Sequence, residues 1–477
     1  MKNHHRLIWL CALSLVLATS CSTRDISLLH SSGGSGSSND SDSMTDTHSG
    51  VVDSDISSDS GSAAQACELT DQTVRVTAFE TTVEVNANES EEDLLPVVIS
   101  AVPGGGSRVA WMGGDGMVHI TTLNSSDTSV GDDILVAAND FQDLYATADG
   151  GVLLLTRDAL GGGTLNCGDP ADLCSIPDPP VPCYDSYLVR FTMAGEQWAL
   201  KLTESSIEQP PYSTNYMHFV WWYAHHGRIA SNGDSYAAYF ATALSTASGS
   251  CFDIVQTDRM QIVGNDGALL EGGFNFGCSW SGYERVVWNA TANAYVAVCQ
   301  TAIGGNGAIA FSLDKSVIQN VDLWYSNVSE LVAVPVGYWI ASSVRREDQP
   351  ENQDGLADVN LFHFTSMTPD ISILVEGTAS QNVRAPHLAL HGSSRLLLGY
   401  EVGTAAGHLS PTDDRRMYLQ FHDAETGQQL GERFPVNDVV GNRYQAFRSF
   451  PDGSVAYPFV GDTGTSIKIM RVLPCTE

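Results

Sequence analysis

The sequence predicts an all-β fold, a β-propeller of seven four-stranded blades with six or eight as the alternatives, behind a solvated N-terminal segment. Three observations carry this expectation. One short pattern recurs along the chain: an apolar strand, a tight turn on Gly, Asp or Asn, and a second apolar strand. It reads "SRVAWMGGDGMVHITTL", "QDLYATADGGVLLLTRDA", "GRIASNGDSYAAYFATAL", "ERVVWNATANAYVAVCQT", "ELVAVPVGYWIASSV", "HLALHGSSRLLLGYEV" and "AFRSFPDGSVAYPFVG". The turn residues tolerate positive φ and the flanks are β-branched or aromatic, so each reads as a β-hairpin. Most hairpins are followed by two more strand candidates, for example "CFDIVQTDRMQIVG" then "ALLEGGFNF", and no long window has a helical period. Finally, the two ends complement each other. The last repeat supplies three strands, "AFRSF", "SVAYPFVG" and "SIKIMRVLP", and "TVRVTAFETTVEV" after Cys67 offers the fourth.

Turn centres fall near residues 115, 149, 232, 291, 336, 392 and 452, and the last four intervals, about 45 to 60 residues, each hold four strands and their loops. Units of this kind cannot bury both faces alone and stack around an axis. The first interval, about 34 residues, is short for a blade and leaves the count open. The Pro- and Cys-rich insert "CGDPADLCSIPDPPVPCY" falls where the second and third strands of the second blade connect, and is expected to form a disulfide-stiffened cap.

The chain begins with Lys2 and Arg6 ahead of an apolar run, Leu7 to Ala18, that ends in small residues. This is an export signal, residues 1–20, too short to persist as a spanning helix. "LATSC" resembles the lipobox of bacterial lipoproteins, which implies lipidation of Cys21, and Ser22 in place of Asp points to the outer membrane. Residues 21–66 lie in a stretch rich in Ser, Gly and Asp; from Asp25 to Gln72 there is no Lys, Arg or aromatic. Such a composition cannot offset its ordering entropy and reads as a tether. As flexible coil it would hold residues 67–477 roughly 40 Å from the anchor.

Charge narrows the partners. With 23 basic and 56 acidic residues the formal net charge is -33, two units more negative once Lys2 and Arg6 leave with the signal. A polyanion of this size repels nucleic acid and anionic headgroups, so the membrane is expected to be a partner only through the lipid. Setting aside Cys11 and Cys21, eight cysteines remain, an even number that reads as disulfides with 105 formal pairings. No C-x-x-C pair supports zinc. Cys67 and Cys475 come together if the terminal strands share a blade, and a bridge there would seal the ring with a nominal 4 to 5 kcal/mol or so; pairing of Cys475 with the insert near Cys174 is the alternative. Cys251 and Cys278, at the start of one strand and the end of the next, are expected to meet.

The segments "AHHGR", "GYERVVW" and "GNRYQAFRSFPDGSVAYP" resemble exported bacterial β-propeller lipoproteins, which implies the same fold and export and supplies no activity. With strands a to d counted from the axis outward, the d-to-a segments "HFVWWYAHHGR", "CSWSGYER", "WYSNVSE", "SQNVRAPH" and "VVGNRYQ" emerge on one face. Trp222, Tyr223, His225, His226, Arg228, Trp280, Tyr283, Glu284, Arg285, Tyr325, Arg384, His387, Arg443 and Tyr444 are thereby candidates to converge on one ligand-binding mouth, a concave site with apolar walls and a few placed polar groups. The opposing reading has the aromatics packed between blades and the charges paired across them. His225 and His226 alternate in direction on a strand and cannot share a metal unless Gly227 turns the backbone. "NQDGLADVNLF" resembles the calcium loops of integrin-type propeller repeats, with Asn352, Asp354 and Asp358 at oxygen-ligand spacing and Pro350 where the leading aspartate belongs, so calcium is the one cofactor suggested.

No nucleophile elbow or phosphate-binding loop occurs. The sequence therefore favours an envelope lipoprotein whose propeller binds a glycan, peptide or envelope component. A polysaccharide hydrolase or lyase using Glu284, Asp258 and the histidines is the alternative, and a structural envelope protein is the third.

Overall fold

A computed structural model describes residues 67–475 apart from 87–95, 159–183, 204–215, 220–226, 249–250, 276, 279–281, 302–306, 313, 315, 322–326, 347–354, 408–413, 441–444 and 462. The signal, Cys21, the tether and the Cys-rich insert lie outside the described residues.

The fold is a seven-bladed β-propeller of antiparallel four-stranded sheets. Blade I holds β2 (Val98–Ala101), β3 (Ser107–Met112), β4 (Met117–Leu123) and β5 (Ile134–Ala137). Blade II holds β6 (Asp140–Thr147), β7 (Gly150–Asp158), β8 (Tyr184–Thr192) and β9 (Gly195–Lys201). Blade III holds β11 (Arg228–Ser231), β12 (Ser235–Ser248), β13 (Cys251–Gly264) and β14 (Leu269–Phe274), and blade IV β15 (Gly282–Asn289), β16 (Ala294–Thr301), β17 (Ala308–Phe311) and β18 (Val317–Asn320). Blade V holds β19 (Val332–Ala333), β20 (Tyr338–Arg345), β21 (Ala357–Phe364) and β22 (Pro369–Val375), and blade VI β23 (Asn382–His391), β24 (Arg395–Gly403), β25 (Arg415–Asp423) and β26 (Gln429–Val436). Blade VII takes β27 (Arg448–Ser449), β28 (Val455–Val460) and β29 (Ser466–Val472) from the C-terminal end and β1 (Val74–Glu80) from the N-terminal end.

The short first interval now has its reason. The turn near residue 115 joins β3 to β4, the second and third strands, whereas every other turn centre in the series joins an inner pair. The inner hairpin of blade I is β2–β3, turned through Gly104, Gly105 and Gly106, all at positive φ. β2 has only four residues and is buried on both faces, so it lacks the alternation that marks the other strands. Blade III has an addition: β10 (Tyr216–Phe219) pairs with the far half of the 14-residue β12, while β11 pairs with its near half.

Seven apolar clusters hold the ring, one at each blade-to-blade seam. The cores lie between blades because each sheet buries its two faces against its neighbours. Closure is threefold. β1 pairs with β29 from Val74↔Val472 to Glu80↔Ser466, and Cys67 is bridged to Cys475. Asp127, fully buried, accepts from Arg471 Nη2 at 2.6 Å and from Arg75 Nη2 at 2.6 Å, tying both terminal strands to blade I.

The second bridge differs from expectation. Cys278 is joined to Cys299 on β16, not to Cys251, with a Cα separation of 6.7 Å. Cys278 lies in the seam between blades III and IV, packed with Ala297 and Ala310, so it meets the second strand of the next blade.

Candidate functional site

The inner strands enclose a cavity of about 640 Å³ on the propeller axis, lined by all seven blades. Its middle is aliphatic and aromatic: Leu144, Ile229, Val286, Leu331, Leu388 and Phe447 come from six different blades. At one end it reaches Pro103 and Pro451 of the a-to-b turns and Trp288 near the end of β15. At the other end each of those six side chains sits next in sequence to a polar group: Asp143, Arg228, Arg285, Glu330, His387 and Arg448.

Backbone irregularities build this polar layer. β6, β15 and β23 each shift register where they enter the ring, at Phe141/Asp143, Gly282/Arg285 and Arg384/His387. A bulge re-aims the side chain that follows it. Tyr283 and Ala385 inside two of these bulges have φ of 56° and 49°, a region non-glycine residues rarely occupy. Asn327 holds both, donating from Nδ2 to the Tyr283 hydroxyl at 2.8 Å and accepting the Ala385 N–H at 3.3 Å.

The charges are interlocked. The Arg448 Nη2 pairs with Asp143 Oδ1, and Asp143 Oδ2 accepts the Ile229 N–H at 2.8 Å. Glu330 Oε2 accepts the Leu388 N–H at 3.2 Å and faces His387 Nδ1 at 3.7 Å, while Oε1 lies 4.0 Å from Arg228 Nη2. Burial alone would push the Glu330 carboxyl up; His387, Arg285 and Arg228 outweigh it and bring it down to about 2. Arg285 donates to the Ser329 and Val328 carbonyls at 2.8 Å each. Burial, with Arg285 and Arg448 nearby, lowers the Arg228 guanidinium to about 9. His387 stacks on Phe447 with ring centroids 5.1 Å apart.

Of the expected mouth residues, the structure brings Arg228, Arg285 and His387 into this layer and places Tyr283, Glu284 and Arg384, all buried, beside it. Trp222, Tyr223, His225, His226, Trp280, Tyr325, Arg443 and Tyr444 lie outside the described residues, as do Asn352 and Asp354. Asp358 is described: Arg346 grips both of its oxygens at 2.7 and 2.9 Å and the Gly377 N–H donates at 2.8 Å, so its carboxylate serves a structural ion pair. Gly227 is closely packed, since a Cβ there would sit 1.9 Å from Gln142 Oε1 and 2.7 Å from Leu154 Cδ2, and the histidines before it lie outside the described residues. Sequence reasoning missed Asp143, Glu330 and Arg448. Each stands at the entry to an inner strand, as Arg228 and Arg285 do, and that shared position was the available signal.

Asp258 sits elsewhere, on β13 in the seam between blades III and IV. It accepts from the Tyr239 and Ser312 hydroxyls and from the Gly277 N–H at 2.9 Å. Burial, helped by Glu284, pushes its carboxyl up to about 7 against those hydrogen bonds.

No protein-family model matches the sequence, and a search of curated proteins finds no relative. Solved structures similar to the chain include a protein of unknown function from Dyadobacter fermentans, with 12% identity over 83% of this chain and 99% of that one and a TM-score of 0.39. An α-L-arabinanase from Penicillium chrysogenum, solved with arabinobiose, has 11% identity over 83% and 98% with a TM-score of 0.40. The Dos1 propeller has 10% identity over 83% and 94% with a TM-score of 0.37. Likeness at this level carries no ligand or activity to the chain.

Proposed function

We propose that the chain is a ligand-binding propeller of the cell envelope, exported and lipidated at Cys21, whose ligand occupies the axial cavity. The observation that supports this reading is the layered chemistry of that cavity, an apolar barrel ending in a layer of placed charges. Its volume falls within the roughly 300–1,000 Å³ typical of small-ligand sites. The hydrolase reading has less support, because Asp258 is spent on Tyr239, Ser312 and Gly277 in a seam and Glu284 is buried outside the cavity lining.

An obstruction variant tests the proposal. Ala230 lines the cavity wall and is 8% exposed. In Ala230→Trp the indole should fill the axis, and native mass spectrometry after incubation with a total envelope extract should show bound small molecules on the wild-type protein and none on the variant. Equal occupancy of both proteins would move the site away from the axis. Turnover of a polysaccharide that disappears in Glu284→Gln would favour catalysis instead.

A further inference from the structure

We infer that the ring-closing bridge is a thiol–disulfide exchange site: an incoming dithiol attacks the Cys67 sulfur, and Cys475 leaves as a thiolate held by Arg395.

The groups that favour this reaction come from the neighbouring blade. His391 ends β23 and Arg395 opens β24, opposite each other in register across the first turn of blade VI. Arg395 Nη1 donates to the Cys475 Sγ at 3.2 Å. His391 Nε2 lies 2.9 Å from the Leu473 carbonyl oxygen, which can only accept, so this nitrogen carries the proton. The other ring nitrogen, Nδ1, faces the Cys475 Sγ at 3.8 Å. Burial lowers the His391 imidazole and keeps it neutral, so Nδ1 presents a lone pair that can take the proton of a Cys475 thiol.

The two sulfurs of the bridge are unequal. Cys67 packs with Leu69 against the apolar cluster of the closing seam, whereas Cys475 has the guanidinium. A nearby cation lowers a thiol's pKa, and the sulfur of lower pKa leaves faster, so attack falls on Cys67. Both cysteines are half-buried and open to solvent. The other bridge has the reverse setting. Cys278 and Cys299 are fully buried, and the ionisable group beside them is the Asp258 carboxyl, which brings no positive charge to a departing thiolate.

In the first step the incoming sulfur bonds to Cys67 Sγ, the Sγ–Sγ bond breaks and its electron pair stays on Cys475. The second thiolate of the dithiol then attacks the mixed disulfide and releases Cys67. Two electrons and two protons pass to the bridge, and the dithiol departs as its own disulfide. Exchange thus makes the covalent part of the closure reversible; the β1–β29 pairing and the Asp127 clamp contain no sulfur.

Timed exposure of the folded chain to dithiothreitol, quenched with N-ethylmaleimide and read by peptide mass spectrometry, follows the two bridges separately. Cys67–Cys475 should open about tenfold faster than Cys278–Cys299. With glutathione in place of the dithiol, the mixed disulfide should form on Cys67. Arg395→Met should slow opening about fivefold and Arg395→Lys should keep most of the rate, with a melting curve of each oxidised variant to confirm folding. The wild-type rates and the glutathione position need no variant. Equal rates for the two bridges, glutathione on Cys475, or opening as fast in folded Arg395→Met as in the wild type would each overturn the inference.

Discussion

The seam between blades VI and VII and the seam between blades III and IV solve one packing problem with opposite chemistry. At VI–VII the buried contacts are large: Leu397, Met417, Leu419, Phe421, Phe447 and Tyr457 interdigitate. At III–IV the buried set includes Ala237, Ala297 and Ala310, joined by Tyr239, Met260 and the Cys278–Cys299 bridge. The space that larger side chains would fill holds a buried carboxyl, Asp258, with its three donors. Each seam also has a disulfide, but one closes the whole ring and the other closes a short loop, with sequence separations of 408 and 21. The ring is thus sealed by bulk where its ends meet, and by polar and covalent contacts where its packing is thin.

The comparison sharpens most strongly at the ring-closing bridge. Replacing Cys67 and Cys475 together by Ser should lower unfolding free energy by about 6 kcal/mol in the chain-entropy account, measured by denaturant titration. A loss below about 1 kcal/mol would show that β1 pairing and the Asp127 clamp close the ring unaided. The double Ser variant of Cys278 and Cys299 should cost about 3 kcal/mol, less because the loop is shorter. A cost exceeding that of the first pair would reverse the ranking of the two seams.

The smallest effect is the one that separates the seams by pH. The Asp258 carboxyl titrates near 7 in the folded chain and near its ordinary value of 3.8 when unfolded. Between those values the folded state holds a proton that the unfolded state has lost. The stability contribution is complete below about pH 4 and declines as pH rises to about 7. Asp258→Asn should therefore raise stability by roughly 2 kcal/mol at pH 8, within the roughly 4 to 5 that a shift of this size allows at about 1.4 kcal/mol per unit, and change it little at pH 4. An equal effect at both pH values would show that the side chain is ionised throughout.

Much of the propeller was legible because blades repeat their turns. Asn-Gly-Asp at 232–234 and Pro-Asp-Gly at 451–453 announce hairpins whatever surrounds them, and the complementarity of "SIKIMRVLP" with "TVRVTAFE" revealed the closure. β2 escaped because a four-residue strand buried on both faces carries no period. The partner of Cys278 escaped because the seat of a linker in the seam with the next blade is a tertiary fact. At the site, arginines and histidines before inner strands were visible by type, whereas Glu330 and Asp143 looked like two of 56 acids until the bulges and the barrel gave them a direction.

The bridge from Cys67 to Cys475 also decides how the ring bears load. Any pull on the chain upstream enters at Cys67, seven residues ahead of β1, and there divides between the peptide path to Val74 and the sulfur path to the end of β29. Tension thus reaches both members of the closing pair at the same end. β1 cannot be peeled away one hydrogen bond at a time while its partner stays behind, and the seam must yield as a block or not at all.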